Sequence, residues 1–427
     1  MASVADRRAT VVAFALAVEL QKGVLQAMEK MKSDAQTGLN GVLDPIARLP
    51  LEISSDIFTR CLFDDYITIP ELKIAPLLFM SVCRSWNQIA VSTPALWATL
   101  HIAMDIPRPR GFEYGALAKL WLDRAKNQPL RIALDGPLVQ DVRDLVHQKA
   151  HQVQTLVLFL QTLQDLLHIT TPLPSLQALT IGQSRESGQP PMYYADDADA
   201  CVELLRAAPG LVDCTFEGIM YEADTDLDHH PASQLTHSSL ETLRLGGRHY
   251  LSSTLILKSL TLPALKVLTV APLTIRYDDL LGFLTRSSPP LQSLEMQLGI
   301  GVEWSHDMLE GIFWLVPSLT DLHLTFTTPI SPLLGVLTIG SPQFQFLPGL
   351  SNLEIRITVD PSRSEYETLV RTLSARRGSH ARMQSFRLFW WAGAEHHEPD
   401  ADILVAVRQL VADGMEIYMG TSYGSYV

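Results

Sequence analysis

The chain is poor in cysteine, in charge and in signatures of catalysis. Cys61, Cys83, Cys201 and Cys214 are its only cysteines in 427 residues, and none forms a C-x-x-C pair. That spacing argues against a disulfide framework or a zinc site. It suits small buried hydrophobes in a reducing, intracellular compartment, cytoplasmic or nuclear. Charged residues make up 19% against 47% hydrophobic, and the formal net charge is −13. No lysine–arginine cluster exceeds a pair or so, so the usual footprint of phosphate-backbone binding is missing and nucleic acid is not expected. No window reaches the roughly 18 uninterrupted apolar residues of a membrane span, and no membrane partner is expected. Nothing matches G-x-x-x-x-G-K-[ST], G-x-S-x-G or a helix-opening G-x-G-x-x-G. Gly299-Ile300-Gly301 reads as a turn. No enzyme activity, cofactor or metal is expected.

What is present begins with an apolar segment. Arg7-Arg8 followed by Ala9 to Leu20 imitates a secretory signal, but Glu19 interrupts the run and no polar cleavage region follows. Leu20, Val24, Leu25, Met28 and Met31 continue one helical face. The pattern predicts a helix over 10–37, then a polar, glycine-containing linker at Ser33–Gly41.

Leu49-Pro50-Leu51-Glu52-Ile53 follows, then Ile57-Phe58 and Cys61 at helical spacing. Pro76 permits a second helix start, after which Leu78, Val82, Trp86 and Ile89 repeat the pattern. Helices this short cannot bury so much apolar surface among themselves, so part of the stripe is expected to await a partner. Leu49-Pro50-x-Glu52-Ile53, Ile57-Phe58 and Val82-Cys83-Arg84-x-Trp86 resemble an F-box, the helical module that docks on the Skp-family adaptor of SCF ubiquitin ligases. Trp121-Leu122-Asp123-Arg124 and Pro129-Leu130-Arg131-Ile132 are similar to the segments that follow the box in F-box proteins of mushroom-forming fungi. Leu51 stands where a second proline is common in that group. The resemblance implies adaptor contacts from Leu49, Pro50, Ile53, Ile57, Phe58, Val82, Cys83 and Trp86, with Glu52 and Arg84 as rim or capping residues.

Beyond a Pro-rich break at 106–111 and a helix over Tyr114–Ala125, the chain repeats itself. The string L-x-x-L-x-[LIVF], or a close variant, recurs with central residues Leu156, Leu179, Cys214, Leu243, Leu268, Leu294, Leu322, Leu353 and Phe386, spaced 23 to 35 residues apart. Helical patterns fall between them at Asp196–Ala207, Tyr277–Arg286, Ser305–Leu315, Ser364–Arg376 and Asp400–Ala412. One strand-plus-helix unit cannot bury its own apolar face, whereas stacked units share a core. The expected fold class is therefore α/β: an N-terminal helical F-box followed by a degenerate leucine-rich-repeat solenoid of about nine to eleven strands, with a concave parallel sheet and helices behind it. The expected segments are 1–43 (helix and linker), 44–102 (box), 103–129 (connecting helix) and 130–427 (solenoid).

Period-two alternation turns the leucines inward and places Thr180, Thr215, Arg244, Thr269, Glu295, His323, Glu354 and Arg387 on the open face, with Asp213, Thr242, Asp321 and Asn352 beside them. Two readings stand for each: a target-binding ladder, or an ordinary solvated sheet. Asp224-x-Asp226-x-Asp228-His229-His230 lacks the glycine and the closing glutamate of a calcium loop, and Glu395-His396-His397-Glu398 lacks H-E-x-x-H spacing; both read as loops. Trp390-Trp391 belongs to the last repeat, packed as a cap or exposed.

The combined expectation is a non-enzymatic substrate receptor, with the box on a Skp-family adaptor and, through it, a cullin-RING ubiquitin ligase, and the repeats on a protein target. The alternative is a leucine-rich scaffold whose box-like helices only cap the solenoid.

Overall fold

The computed structural model describes residues 4–62, 74–104, 113–160, 172–183, 196–217, 234–246, 253–270, 275–298, 304–338, 347–377, 383–390, 399–421 and 424–427. The chain divides into two compact units, residues 1–102 with 116–130, and residues 103–115 with 131–427.

The first unit opens with α1 (Val4–Leu43), a forty-residue helix. The expected linker at Ser33–Gly41 is helical instead. Its two glycines cost about 1 kcal/mol each in helix propensity, which does not stop a helix that meets no proline before Pro45. Asp44 then ends it: Oδ1 accepts from Ile46 N at 2.9 Å, and Oδ2 accepts from Trp86 Nε1. Next come α2 (Leu51–Arg60), α3 (Leu77–Val82) and α4 (Arg84–Ser92). The continuous pattern expected from Leu78 to Ile89 is broken at Cys83, whose extended backbone (φ −158°, ψ 172°) separates α3 from α4. A short β1 (Thr99–Ala103) and α5 (Tyr114–Ala125) follow.

The core of this unit is aromatic. Phe58 stacks on Phe79 with ring centroids 4.3 Å apart and meets Trp86 at 5.0 Å. Beside it on α2 the fully buried residue is Ser54, whose Oγ donates to Ile46 O at 3.0 Å and thereby escapes the cost of an unpartnered hydroxyl. The inward line of α2 therefore runs Ser54–Phe58, and Ile53 lies off it, exposed.

The second unit continues with β2 (Leu130–Asp135), α6 (Gln140–Gln148), β3 (Val153–Leu160), β4 (Ala178–Gln183), α7 (Asp196–Ala207), β5 (Asp213–Glu217), β6 (Leu235–Thr236) and β7 (Thr242–Gly246). It then runs α8 (Ser253–Ser259), β8 (Leu260–Thr261), β9 (Val267–Val270), α9 (Tyr277–Ser287), β10 (Ser293–Leu298), α10 (His306–Leu315), β11 (Asp321–Phe326) and α11 (Ser331–Thr338). The last elements are β12 (Asn352–Ile357), α12 (Arg363–Arg377), β13 (Ser385–Trp390), α13 (Ala401–Ala412), β14 (Glu416–Thr421) and β15 (Gly424–Ser425). The large sheet has thirteen strands, more than the nine to eleven expected, and its order from β3 onward is β3-β4-β5-β7-β9-β10-β11-β12-β13-β14-β15. The pairings from β3 to β14 are parallel, and β15 turns back antiparallel on β14. The chain is thus an α/β protein: an N-terminal helix, then a largely parallel sheet whose strands alternate with helices as in a leucine-rich-repeat solenoid.

One backbone bond repeats from coil to coil. Gln177 N donates to Gln154 O, Val212 N to Gln177 O, Glu241 N to Val212 O and Lys266 N to Glu241 O, all at 2.7–2.9 Å. Gln292, Thr320, Ser351, Gln384 and Glu416 continue the chain in turn at 2.8–2.9 Å. The leucines of each string are fully buried, which leaves the alternate residues on the other face of the sheet.

Candidate functional site

Two surfaces carry the residues singled out by sequence. The first lies on the helical unit. Leu49 is 39% exposed, Ile53 50% and Val82 52%, with Pro50, Leu51 and Leu78 also exposed. Leu49 to Ile53 form the approach and first turn of α2, and Leu78 and Val82 lie one turn apart on α3. Ile57, Cys83 and Trp86 are half-buried. Phe58, expected among the anchors, is only 1% exposed and belongs to the aromatic core, so it holds the helices together instead of presenting itself. Glu52 is exposed in the first turn of α2, and Arg84 reaches Asp34 of α1 at 3.7 Å.

The second surface is the open face of the sheet. Thr180, Thr215, Arg244, Thr269, Glu295, His323, Glu354 and Arg387 are consecutive lateral partners, forming one row across eight strands. The row runs from Val157 at one end to Tyr418 at the other. Asp213, Thr242, Asp321 and Asn352 fall in the adjacent row, as alternation required.

Charges on this face are tied to one another. Arg244 Nη1 donates to both carboxylate oxygens of Asp213 at 2.8 and 3.0 Å. Arg356 links Glu354 Oε1 at 2.7 Å and Glu295 Oε1 at 3.4 Å, while His323 Nδ1 stands 3.9 Å from Glu354 Oε2. Thr269 Oγ1 donates to the other oxygen of Glu295 at 3.4 Å. Asn352 Nδ2 donates to Asp321 at 2.6 Å, and Arg387 approaches Glu416 at 3.6 Å. Arg356 and Glu416 are the members that sequence reading passed over. Arg356 lies two residues beyond Glu354, so extending the same alternation one step finds it. Phe389 and Tyr418 add an aromatic contact at 4.8 Å.

Among the described residues, His306, Asp307 and Glu310 bring possible metal-ligand atoms within 4.8 Å of one another. They sit at the start of α10, where the helix dipole disfavours a cation, and a Cβ on Gly335 of α11 would meet His306 Cδ2 at 2.8 Å. Close packing against α11 accounts for the histidine. The loops holding Asp224–His230 and Glu395–Glu398 lie outside the described residues, as do Trp391 and the break at 106–111. Trp390 is buried at the end of β13, one strand short of the last parallel strand β14, with Nε1 donating to Asp360 at 2.8 Å and its ring edge-on to Tyr426.

The fold defines a largely parallel α/β repeat protein, consistent with a leucine-rich-repeat-like solenoid. No protein-family model matches the chain. No curated protein matches it either.

Proposed function

We propose that the protein is a non-enzymatic substrate receptor of an SCF-type ubiquitin ligase. The helical unit, as an F-box, docks on a Skp-family adaptor, and the open face of the sheet holds a protein target. Catalysis in this reading is proximity: the receptor fixes a target beside the ubiquitin-charged enzyme that a cullin-RING assembly carries. The observation that carries it is the exposure of Leu49, Leu51, Ile53 and Val82 beside a closed aromatic core of Phe58, Phe79 and Trp86. A docking module needs such a stripe available on its own helices. Full burial of one large apolar side chain stabilises by about 1.5–3 kcal/mol, so a few such anchors suffice for a stable interface. The row from Thr180 to Arg387 supports the second half of the reading, because it offers donors, acceptors and both charge signs on one continuous surface.

The test is adaptor pulldown by the full chain carrying Leu49→Ala and Pro50→Ala. Loss of adaptor with an unchanged thermal unfolding curve is expected. Undiminished recovery removes the assignment.

A further inference from the structure

Apart from Asp34, which pairs with Arg84, the helix α1 contributes to neither surface, yet it carries many exposed apolar side chains. Phe14 is 68% exposed, Leu20 69%, Val24 59% and Met28 58%. Among the described residues, Val11–Gln36 is the stretch long and apolar enough to cross a bilayer by length and composition, and none of it is buried. It is not an uninterrupted apolar run. Glu19 and Lys22 interrupt it, and they pair with each other at 2.9 Å.

The circumference of the helix identifies what covers it. At 3.6 residues per turn, Glu19, Lys22, Glu29 and Lys30 share one side while Leu20, Val24, Met28 and Met31 share the other. From Val11 to Val18 every residue is apolar, and these side chains point in all directions. A partner helix covers a narrow seam flanked by charges. Here the apolar arc is the whole circumference over Val11–Val18 and narrows to one side from Leu20 on, a taper that suits a continuous apolar medium at an interface. Charge points the same way. Over Val4–Leu43 there are five basic and four acidic residues, a net +1 in a chain of net −13. Crossing the bilayer would leave Glu19 and Lys22 deep in hydrocarbon, whereas lying flat keeps them wet.

We propose that α1 lies in the plane of an anionic phospholipid surface, with its Leu20–Met31 side in the acyl boundary and its Glu19–Lys30 side toward water. This inference is independent of adaptor docking, because vesicle binding needs no adaptor and each can fail alone.

The test floats the full chain with vesicles of phosphatidylcholine plus phosphatidylserine, and with phosphatidylcholine alone. The wild-type chain is expected to float with both and more strongly with the anionic mixture. Leu20→Glu with Val24→Glu and Met28→Glu is expected to reduce flotation about tenfold or more. These side chains are exposed, so an unchanged melting curve checks that the variant folds. Four outcomes overturn the proposal: no flotation of the wild type; flotation that the triple variant retains; a wild-type dimer that stays off vesicles and becomes monomeric in the variant, which assigns the face to a second copy; and chain recovered from its cells with α1 removed, which makes the segment a cleaved signal.

Discussion

The indole of Trp121 meets that of Trp97 edge-on, 4.8 Å between centroids and 76° between planes. Trp121 Nε1 donates to Thr99 O and Trp97 Nε1 to Ala90 O, both at 2.9 Å. The guanidinium of Arg124 lies 4.4 Å from the centroid of the same Trp97 ring. Burial lowers the Arg124 pKa from its ordinary value, consistent with a cation drawn into an aromatic site. Helix α5, expected as a connector, thereby belongs to the helical unit from Ala116 on, and the Trp-Leu-x-Arg segment acts as part of its core.

Trp121→Ala therefore destabilises the helical unit by about 3–5 kcal/mol, the range for a large aromatic deleted from a core. Urea unfolding followed by tryptophan fluorescence measures it. A loss below about 1 kcal/mol would place α5 outside that core.

Glu365 ties two helices of the solenoid together. Its Oε1 accepts from Ser331 N at 2.9 Å and Ser331 Oγ at 2.6 Å, and its Oε2 accepts from Ser362 N and Oγ, both at 2.8 Å. Burial pushes the carboxyl pKa up, but these four bonds outweigh it and hold it below the usual carboxylate value. A depressed folded pKa gives stability that is present above the unfolded value, about 4.3, and is lost as pH falls through the folded value. Glu365→Gln is expected to cost about 1–3 kcal/mol at neutral pH and to flatten the acid limb of the stability curve. Melting temperature against pH for both proteins checks this; parallel acid limbs would contradict it.

The Arg244–Asp213 pair is half-exposed on the open face, with side chains 44% and 39% accessible. A double-mutant cycle is expected to give about 0.2–1 kcal/mol of coupling, the range for solvated pairs. A coupling above about 2 kcal/mol would make the pair a structural clamp instead of an adjustable surface feature.

None of the four cysteines is in a disulfide, and they lie in very different settings. Burial, with smaller contributions from Cys201 and Asp213, pushes the Cys214 thiol well above its ordinary value. Cys61 is exposed on the helical unit. A thiol reagent at neutral pH is expected to label Cys61 first and to reach Cys201 and Cys214 only on unfolding. Mass spectrometry of the labelled peptides gives the order, and early labelling of Cys214 would contradict the burial described.

Much of the repeat was legible because stacked coils impose a strict pattern. Each L-x-x-L-x-[LIVF] string places its central and last residues in a strand, with its first residue two positions before the strand except in the longer β3, and the helices at Tyr114–Ala125 and Asp196–Ala207 match their expected bounds. The strand β14 escaped because it reads Met415-x-Ile417-x-Met419, one residue short of the string, after Gly414 at φ +96°. Helices α6, α8 and α11 escaped for a related reason: each is nine residues or fewer and is held by packing more than by its own propensity. On the helical unit, apolar periodicity selected Ile53 and Ile57 as one stripe with Phe58. The buried partner of Phe58 is a serine, which the carbonyls of Ile46 and Pro50 make tolerable there. Hydrogen-bond satisfaction of that kind depends on tertiary placement and leaves no mark in hydropathy.

The most direct measurement is the affinity of the full chain for a Skp-family adaptor, by titration calorimetry, before and after Ile53→Asp with Val82→Asp. Both side chains are about half exposed, so the substitutions are expected to leave the melting curve unchanged and to weaken binding by about 3 kcal/mol or more, over a hundredfold. An adaptor that binds wild type and variant alike, or neither, would contradict a docking role for this surface.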